Sequence, residues 1–337
     1  MNFKERLKRK NEFDASLVYG TKKFNELTGR KEFLSFRKNN DNKWIDSQTG
    51  LIHKKFSEYR NCPLCNNNYY KTLFVKAGFP HVKCSNCELV YVNPILNNNE
   101  YVKLWSVEDS WENVLEKEHQ IKMQAIEANY YLDIVELYAK KTANLKICDI
   151  GCGPGTLLKE AQKRNYTVFG IESNKRCHKV LKNNKVDFIG DFFPLRTRLN
   201  RKFDSIFMLS VLEHMRDPIQ IIKDAKSLLN DKGILYISVP NIDALVNRIL
   251  HAEAGVFGGH SHIQFFNKKT LNYLFDILKI KVLEFETIIT ELGVIKNYLS
   301  YKDPYFGDTK DTFDFLSAEI IHQNYLGRSI NVVGRLI

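Results

Sequence analysis

The sequence predicts an α/β fold in which a doubly wound parallel sheet follows a small cysteine-rich module and a polar N-terminal extension. Three observations support this prediction. Strand-like and helix-like runs alternate after Leu145, a glycine-rich turn follows the first of those strands, and two cysteine pairs lie upstream. Alternation of this kind is typical of a sheet covered on both faces by helices. The length of 337 residues suggests two or three units, and 44% apolar and 26% charged residues are typical of a globular protein.

Changes in composition divide the chain into three predicted units. Residues 1–60 are a basic N-terminal extension, residues 61–93 contain four cysteines, and residues 100–337 form the large α/β domain. Pro94 and the asparagine run that follows it mark the break before the large domain. We therefore expect the chemistry of the sheet and that of the cysteines to lie in separate units.

The large domain is predicted to begin with an amphipathic helix between Trp111 and Lys141, where apolar residues recur at helical spacing. The strands predicted after it are 145–150, 167–171, 185–189, 203–209, 233–239 and 329–337. The helices predicted between them are 155–165, 174–184 and 217–230. Ligands of such sheets bind at the carboxyl ends of the strands. Functional residues are therefore expected immediately after the strands.

The turn after the first predicted strand is the most informative stretch of the chain. It reads Asp149-Ile150-Gly151-Cys152-Gly153-Pro154-Gly155. Glycines allow positive φ and a close approach of a ligand, and the following helix start presents free N–H groups. A nicotinamide dinucleotide fingerprint requires Gly-x-Gly-x-x-Gly or Ala, but its third position is occupied here by Thr156. The spacing therefore excludes that fingerprint.

The form Asp-x-Gly-x-Gly-x-Gly resembles motif I of the class I S-adenosylmethionine (SAM) methyltransferases. This resemblance implies a Rossmann-like seven-stranded methyltransferase sheet with SAM as its cofactor. In that family the glycines pass under the methionine part of SAM, and the acid lies close to its amino group. The residues that the resemblance assigns to the cofactor here are Asp149, Gly151, Gly153 and Gly155.

The ends of the next strands carry further residues expected to bind SAM. Glu172 ends the second strand, where a carboxylate can accept hydrogen bonds from both ribose hydroxyls. Asp191 and Phe192 follow the third strand and resemble the adenine-side loop of the family, and Leu209 ends the fourth. Each acid alone is more typical of an exposed cap than of a cofactor site. Their order at successive strand ends makes them cofactor candidates.

Two cysteine pairs, Cys62-x-x-Cys65 and Cys84-x-x-Cys87, have the spacing of a zinc ribbon. Four thiolates form a closed tetrahedral site, so the metal is expected to fold the module rather than to catalyse. Disulfides are not expected, because no apolar signal segment follows the basic N-terminus. The pattern resembles ribbons that precede the catalytic domain of bacterial methyltransferases acting on sugars, sugar nucleotides or secondary metabolites. Similar ribbons also head some ribosomal RNA methyltransferases.

Three histidines are candidates for catalytic groups: His214, His260 and His262. Histidine suits the removal of a proton from a hydroxyl acceptor because its pKa lies near neutrality. Residues 210–218 resemble the segment after the fourth strand of small-molecule methyltransferases. Residues 258–266 resemble a segment that carries a histidine toward the pocket of related O-methyltransferases.

Glu213, His214 and His262 also resemble part of a divalent-metal site. Small-RNA 2′-O-methyltransferases and some quinone-biosynthesis O-methyltransferases bind a metal through Glu-x-x-Glu-His and a distant histidine. Ser210 stands at the first glutamate position here, and the loss of one carboxylate weakens a site for a hard cation. The alternative is a glutamate at a helix start beside a packed histidine.

The net charge of +11 is concentrated near the N-terminus, where residues 1–60 contain 15 Lys or Arg and 8 Asp or Glu. Such a segment is usually a solvated extension, although it can also face an anionic partner such as RNA. Cys148, Cys152 and Cys177 have no metal-ligand spacing and are expected to pack as small apolar residues. No apolar run approaches the about 20 residues of a membrane span, and a cytoplasmic protein is expected.

Together these patterns predict a SAM-dependent methyltransferase that O-methylates a small molecule, a saccharide or a sugar nucleotide. Transfer to a sugar carbon is a close variant. An RNA methyltransferase, acting on rRNA or tRNA through the basic N-terminus and the ribbon, is the first alternative. A non-catalytic SAM-fold binding protein is the second. The predicted cofactors are SAM and a structural Zn²⁺.

Overall fold

The computed structural model describes residues 1–17, 26–29, 42–106, 114, 117–139, 143–195, 201–299 and 315–336. Three of the aromatic residues in the predicted extension, Phe24, Phe33 and Phe36, lie outside these ranges. Trp44, by contrast, is described and is buried.

A single helix, α1 (Phe3–Leu17), forms the start of the chain. Lys10 and Phe13 on this helix are almost fully buried. The Phe13 ring meets the Tyr130 ring edge-on with 5.1 Å between centroids, and Lys10 Nζ lies 3.0 Å from Glu286 Oε2. The interpretation of residues 1–60 as a solvated extension is therefore wrong for one face of α1, where Arg6, Arg9 and Lys10 pair with acids of the large domain.

The cysteine-rich region forms a small antiparallel sheet flanked by two short paired strands. Its elements are β1 (Ser57–Glu58), β2 (Tyr70–Lys76), β3 (Phe79–Cys84), β4 (Val90–Val92), β5 (Ile95–Leu96) and α2 (Asn98–Ser106). Strand β3 pairs with β2 and β4, and β1 pairs with β5. We refer to residues 61–93 as the ribbon.

The large domain alternates strands and helices as predicted. Its first elements are α3 (Glu118–Tyr138), β6 (Lys146–Ile150), α4 (Thr156–Lys163), β7 (Thr167–Ile171), α5 (Lys175–Asn183), β8 (Asp187–Gly190) and β9 (Phe203–Leu209). The remaining elements are α6 (Pro218–Ser227), β10 (Leu229–Pro240), α7 (Leu245–Leu250), β11 (Gln264–Phe265), α8 (Lys268–Ile277), β12 (Ile280–Ile288), α9 (Leu292–Leu299), α10 (Ala318–Gln323) and β13 (Ser329–Leu336).

Seven strands form one sheet in the order β12-β13-β10-β9-β6-β7-β8. The pairs from β10 to β8 are parallel, whereas β13 runs antiparallel between β10 and β12. The carboxyl ends of β6, β7, β9 and β10 therefore share one edge of the sheet, which is the edge where ligands bind in this architecture. The predicted doubly wound fold is confirmed.

Several predicted boundaries differ from the structure. Helix α3 begins at Glu118 rather than Trp111, and Trp111 lies outside the described residues. Helix α6 ends at Ser227 because Leu229 already pairs with Phe203 of β9, so β10 starts earlier than predicted. Strand β11 was not predicted, since two residues are too few to give a periodic pattern.

Strand β11 joins the two parts of the molecule. Gln264 pairs with Tyr91 and Phe265 with Val90, so a strand of the large domain completes the four-stranded sheet of the ribbon. Cys148, Cys152 and Cys177 are buried in the large domain, which confirms their predicted packing role. Among the described helices, none combines the length and apolar character that a bilayer-spanning segment requires.

Candidate active site and zinc ribbon

The turn after β6 has a backbone that only glycine can adopt without strain at two of its positions. Gly151 and Gly155 have φ of 74° and 80°. A Cβ at Gly151 would lie 2.6 Å from Val211 Cγ2, and one at Gly155 would lie 2.6 Å from Leu181 Cδ2. Because Val211 follows β9, the turn after the first strand packs directly against the segment that leads to His214. Gly153 lies between these positions, also at positive φ.

Two carboxylates, those of Asp149 and Glu172, stand at this turn. Asp149 is buried, and its Oδ1 atom has no hydrogen-bond partner among the described residues. Burial, together with the neighbouring Glu172 carboxylate, raises the pKa of Asp149 well above its usual range. A cationic ligand would relieve both effects, since an opposite charge favours the ionised carboxylate. SAM carries an ammonium and a sulfonium group, so its chemistry fits these acids.

Glu172 connects the second strand to the turn. Its Oε2 accepts a hydrogen bond from Gly153 N at 2.7 Å, and its Oε1 accepts one from Asn174 N at 2.7 Å. Ser173 Oγ also donates to Oε1, at 3.4 Å. An ionised carboxylate has about four lone-pair positions, so about one acceptor position remains for a hydroxyl donor such as those of a ribose. The predicted role of Glu172 is therefore compatible with its geometry.

The remaining predicted cofactor residues lie at the same edge of the sheet. Asp191 and Phe192 follow β8 directly and are exposed, with 48% of Phe192 accessible. Leu209 ends β9 and is half-buried. An exposed aromatic ring beside a cofactor turn offers a surface on which an adenine can stack.

The structure brings His214 and His262 together. His214 lies in the short 3₁₀ helix Leu212–His214 after β9, and His262 lies just before β11. Their ring centroids are 4.9 Å apart. His214 Nδ1 is 2.9 Å from Ser261 O, and His262 Nδ1 is 2.9 Å from Val256 O. Because a carbonyl can only accept, each Nδ1 carries the proton and Nε2 is the basic nitrogen of the neutral ring.

Glu213 completes this group as a fully buried carboxylate. Neither of its carboxylate oxygens has a hydrogen-bond partner in the described part of the chain. Burial raises the pKa of Glu213 to about 8, against smaller opposing effects of its own backbone and Arg328. Ligand atoms of Glu213, His214 and His262 lie within 4.8 Å of one another. Two imidazoles and one carboxylate suit a catalytic transition-metal ion better than Mg²⁺.

His260 is not part of this group. Its ring stacks on Trp44 with centroids 5.9 Å apart and also lies against Phe79 of the ribbon. His260 Nδ1 is 2.9 Å from Gly258 O. With 5% of the residue exposed, His260 packs between the ribbon and the large domain. Of the two histidines predicted in this segment, only His262 is placed toward His214.

The four ribbon cysteines converge as their spacing predicts. Cys62 Sγ is 3.4 Å from Cys87 Sγ, Cys65 Sγ is 3.5 Å from Cys84 Sγ, and all four sulfurs lie within 4.8 Å of one another. Sulfurs around tetrahedral Zn²⁺ with Zn–S bonds of about 2.3 Å are separated by about 3.8 Å, so the donor set fits zinc. None of the cysteines forms a disulfide. A hydrogen bond from Cys87 lowers the pKa of Cys62 to about 5, which favours the thiolate that a metal requires.

Gln264 is a site residue that no sequence motif marks. Its Nε2 donates to Leu212 O at 2.7 Å and to Met215 O at 2.8 Å, so it spans the main chain on both sides of Glu213 and His214. The adjacent Ile263 N donates to Glu213 O at 3.0 Å. The Gln264 side chain and the Ile263 main chain therefore hold the main chain of the loop after β9.

The sheet order, the glycine-rich turn after its first strand and the acid after its second define the class I SAM-dependent methyltransferase fold. Residues 122–278 match a family model for a methyltransferase domain. Residues 122–278 therefore belong to a SAM-dependent methyltransferase domain, and the cysteine cluster ahead of it is compatible with zinc.

Similar proteins carry related names. A ubiquinone biosynthesis O-methyltransferase of Actinobacillus pleuropneumoniae is 30% identical over 143 residues, covering 39% of this chain and 58% of that protein. One of Vibrio parahaemolyticus is 26% identical over 190 residues, covering 52% and 74% of the two chains. A SAM-dependent methyltransferase from Archaeoglobus fulgidus has 16% identity and a TM-score of 0.47, covering 67% and 100%. The chain spans about three fifths of the length of the first of these relatives.

Proposed function

We propose that this chain is an O-methyltransferase that moves the methyl group of SAM to a hydroxyl of a small molecule, with saccharides and sugar nucleotides as one acceptor class. The proposal rests on the pairing of His214 and His262 beyond β9, whose ring centroids are 4.9 Å apart. This pair lies next to the segment that packs on the cofactor turn. The names of the O-methyltransferase relatives agree with transfer to oxygen. The resemblance of the ribbon to those of sugar-modifying enzymes supports a saccharide acceptor.

In this proposal Asp149, Glu172 and the glycine-rich backbone hold SAM, and Asp191, Phe192 and Leu209 border its adenine. SAM supplies a methyl group already activated by its sulfonium. The protein then has to position the acceptor and remove its hydroxyl proton. A neutral His214 or His262 accepts that proton at Nε2, while the carbonyl bonded to its Nδ1–H stabilises the resulting imidazolium.

A divalent cation at Glu213, His214 and His262 is a second form of the proposal. The 4.8 Å grouping of the three ligand atoms favours it. A metal there would lower the pKa of an acceptor hydroxyl directly, so the histidines would act as ligands rather than as bases.

A labelled-methyl assay tests the proposal and gives its first mutational prediction. Purified protein is incubated with SAM and, separately, with sugar nucleotides, catechols, tRNA and rRNA, and we expect label in a small molecule. Replacement His214→Asn should lower kcat by roughly 10²–10⁴-fold, the usual contribution of a general base. Calorimetry should show an unchanged SAM affinity, and the exposed His251→Asn serves as the matched control.

Other outcomes of the assay select among the alternatives. Label in RNA, with affinity falling steeply as salt rises, would replace the proposal by an RNA methyltransferase. SAM binding without transfer to any acceptor class would favour a non-catalytic binding protein. If chelation abolishes activity while the four-thiolate zinc is retained, a divalent cation at Glu213, His214 and His262 would be supported.

A further inference from the structure

The two paired histidines lie on separate segments, so their 4.9 Å pairing depends on how those segments are held. His214 belongs to the loop after β9, and His262 belongs to the segment that enters β11. The loop and the segment touch through His214 Nδ1 to Ser261 O, Ile263 N to Glu213 O, and the two bonds from Gln264 Nε2. All of these bonds join the two segments to each other and do not anchor either of them to the rest of the molecule.

Arg60, the residue directly before the ribbon, supplies an outside reference. Its guanidinium donates from Nη1 to Arg216 O at 3.2 Å and from Nη2 to Ile263 O at 2.7 Å. Arg216 lies two residues after His214, and Ile263 directly follows His262. One planar group therefore bonds to both histidine-bearing segments at once.

The ribbon fixes Arg60 itself. Arg60 N donates to Asn93 Oδ1 at 3.0 Å, and Cys62, the first zinc-type ligand, lies two residues further along the chain. Val92 N of β4 donates to the same Ile263 O at 3.0 Å. The carbonyl of Ile263 thus accepts hydrogen bonds from both the Arg60 side chain and the Val92 main chain.

Arginine is the side chain suited to this position. A guanidinium presents several N–H donors in a rigid plane, whereas the ammonium of lysine is a point charge on a flexible stem and cannot span two fixed carbonyls with the same geometry. A second link acts on the same loop, since the Tyr101 hydroxyl of α2 donates to His214 O.

We propose that Arg60 is a positioning residue that holds His214 and His262 in register, so that the ribbon sets the geometry of the catalytic pair. This inference rests on the proposed catalytic role of the two histidines. A structural module and a reaction site are thereby coupled through one side chain. Loss of the ribbon's metal disturbs the pair through the same connection.

The experiment compares Arg60→Lys with the wild-type chain, both full-length and zinc-loaded. Nitrogen-15 NMR of the histidine rings should show Nδ1–H tautomers for His214 and His262 in the wild type and a mixture of tautomers in Arg60→Lys. With the acceptor found in the labelling assay, kcat should fall about 10–100-fold, as displacements of about 1 Å do, while SAM affinity stays within about twofold. Arg248→Lys, which changes an exposed arginine paired with Asp243, is the matched control.

Ring spectra and kcat that stay wild-type in a folded, zinc-loaded Arg60→Lys would overturn the inference. If that variant loses zinc or its fold, Tyr101→Phe decides instead, because it removes a donor to His214 O without altering the ribbon. A smaller shift of the His214 ring signals is then expected, and an unchanged spectrum would refute the positioning. The NMR measurement needs no methyl acceptor, so it fails or succeeds independently of the proposed function.

Discussion

Helix α1 and the ribbon both precede the methyltransferase domain and both pack against it, but they do so by different means. The ribbon is organised by four cysteines close together in sequence and borrows β11 to complete its sheet. Helix α1 docks through long-range ion pairs, in which Lys10 meets Glu286 and Arg6 meets Glu284. Closely spaced metal ligands can be recognised in a sequence. An ion pair between residues that are hundreds of positions apart cannot.

The two regions also reach different parts of the site. Arg60 and β4 of the ribbon contact the segment that carries His262. Asp14 of α1 accepts a hydrogen bond from Thr290 N at 3.0 Å, just past β12. Strand β12 runs parallel to β10 because both are antiparallel to β13, so Thr290 lies at the ligand-binding edge of the sheet. The ribbon and α1 therefore approach one edge at separate points.

Removal of the ribbon's metal should have the largest effect. Replacement Cys62→Ser breaks a four-thiolate set whose zinc contributes on the order of 10 kcal/mol to the folding of such modules. Hydrogen exchange should show β2–β4 amides losing protection while β6 and β7 amides keep it, together with loss of bound zinc. The control is Cys177→Ala, a buried cysteine outside the cluster. Retained zinc and protected ribbon amides would show that the ribbon does not depend on its metal.

Breaking the ion pair of α1 should have an intermediate effect. Lys10→Met leaves the Glu286 carboxylate buried without its cation, although the Tyr130 hydroxyl still donates to it at 2.6 Å. Urea unfolding should show a loss of about 3–5 kcal/mol, and the double variant with Glu286→Gln should recover part of it. The exposed Lys4→Met is the control. A change below about 1 kcal/mol would mean that α1 contributes little by docking.

The smallest expected effect is a loss of folding stability at acidic pH that arises from His81 in the ribbon. His81 on β3 is fully buried beside the Phe74 ring, and burial, assisted by Lys76, lowers its pKa to about 4 from 6.5. Between these two pKa values the unfolded chain binds a proton at His81 and the folded chain does not. The free energy of unfolding is therefore unaffected by His81 above pH 6.5 and falls as the pH drops toward 4. The loss is at most roughly 3 kcal/mol for this shift.

Replacement His81→Phe should remove that part of the pH dependence and cost about 1 kcal/mol at pH 7, because the bond to Phe79 O is lost. Urea unfolding of both proteins between pH 7 and pH 4.5 checks this. The exposed His251→Gln should leave the slope unchanged. Parallel pH profiles for wild type and His81→Phe would contradict a neutral buried His81.

The sequence predicted those features that depend on neighbouring residues. Strands β7 and β9 match their predicted bounds because each is a mostly apolar stretch bordered by polar or turn residues. The cysteine cluster formed as its spacing indicated. By contrast, nothing local separates His260 from His262, because the difference arises from Trp44, which covers one ring. The role of Arg60 was equally invisible, since both of its acceptors are main-chain carbonyls more than 150 residues away.

The two-residue strand β11 has a consequence for anyone who divides or recombines this chain. A cut near residue 100 would leave the catalytic half with an unpaired β11 edge and an uncovered Phe265, and would strip His260 of the Trp44 and Phe79 rings that pack on it. The catalytic half is therefore not a portable unit. A ribbon transplanted from a relative would fit only if residues 258–266 travelled with it, so the two stretches are expected to change together over evolutionary time.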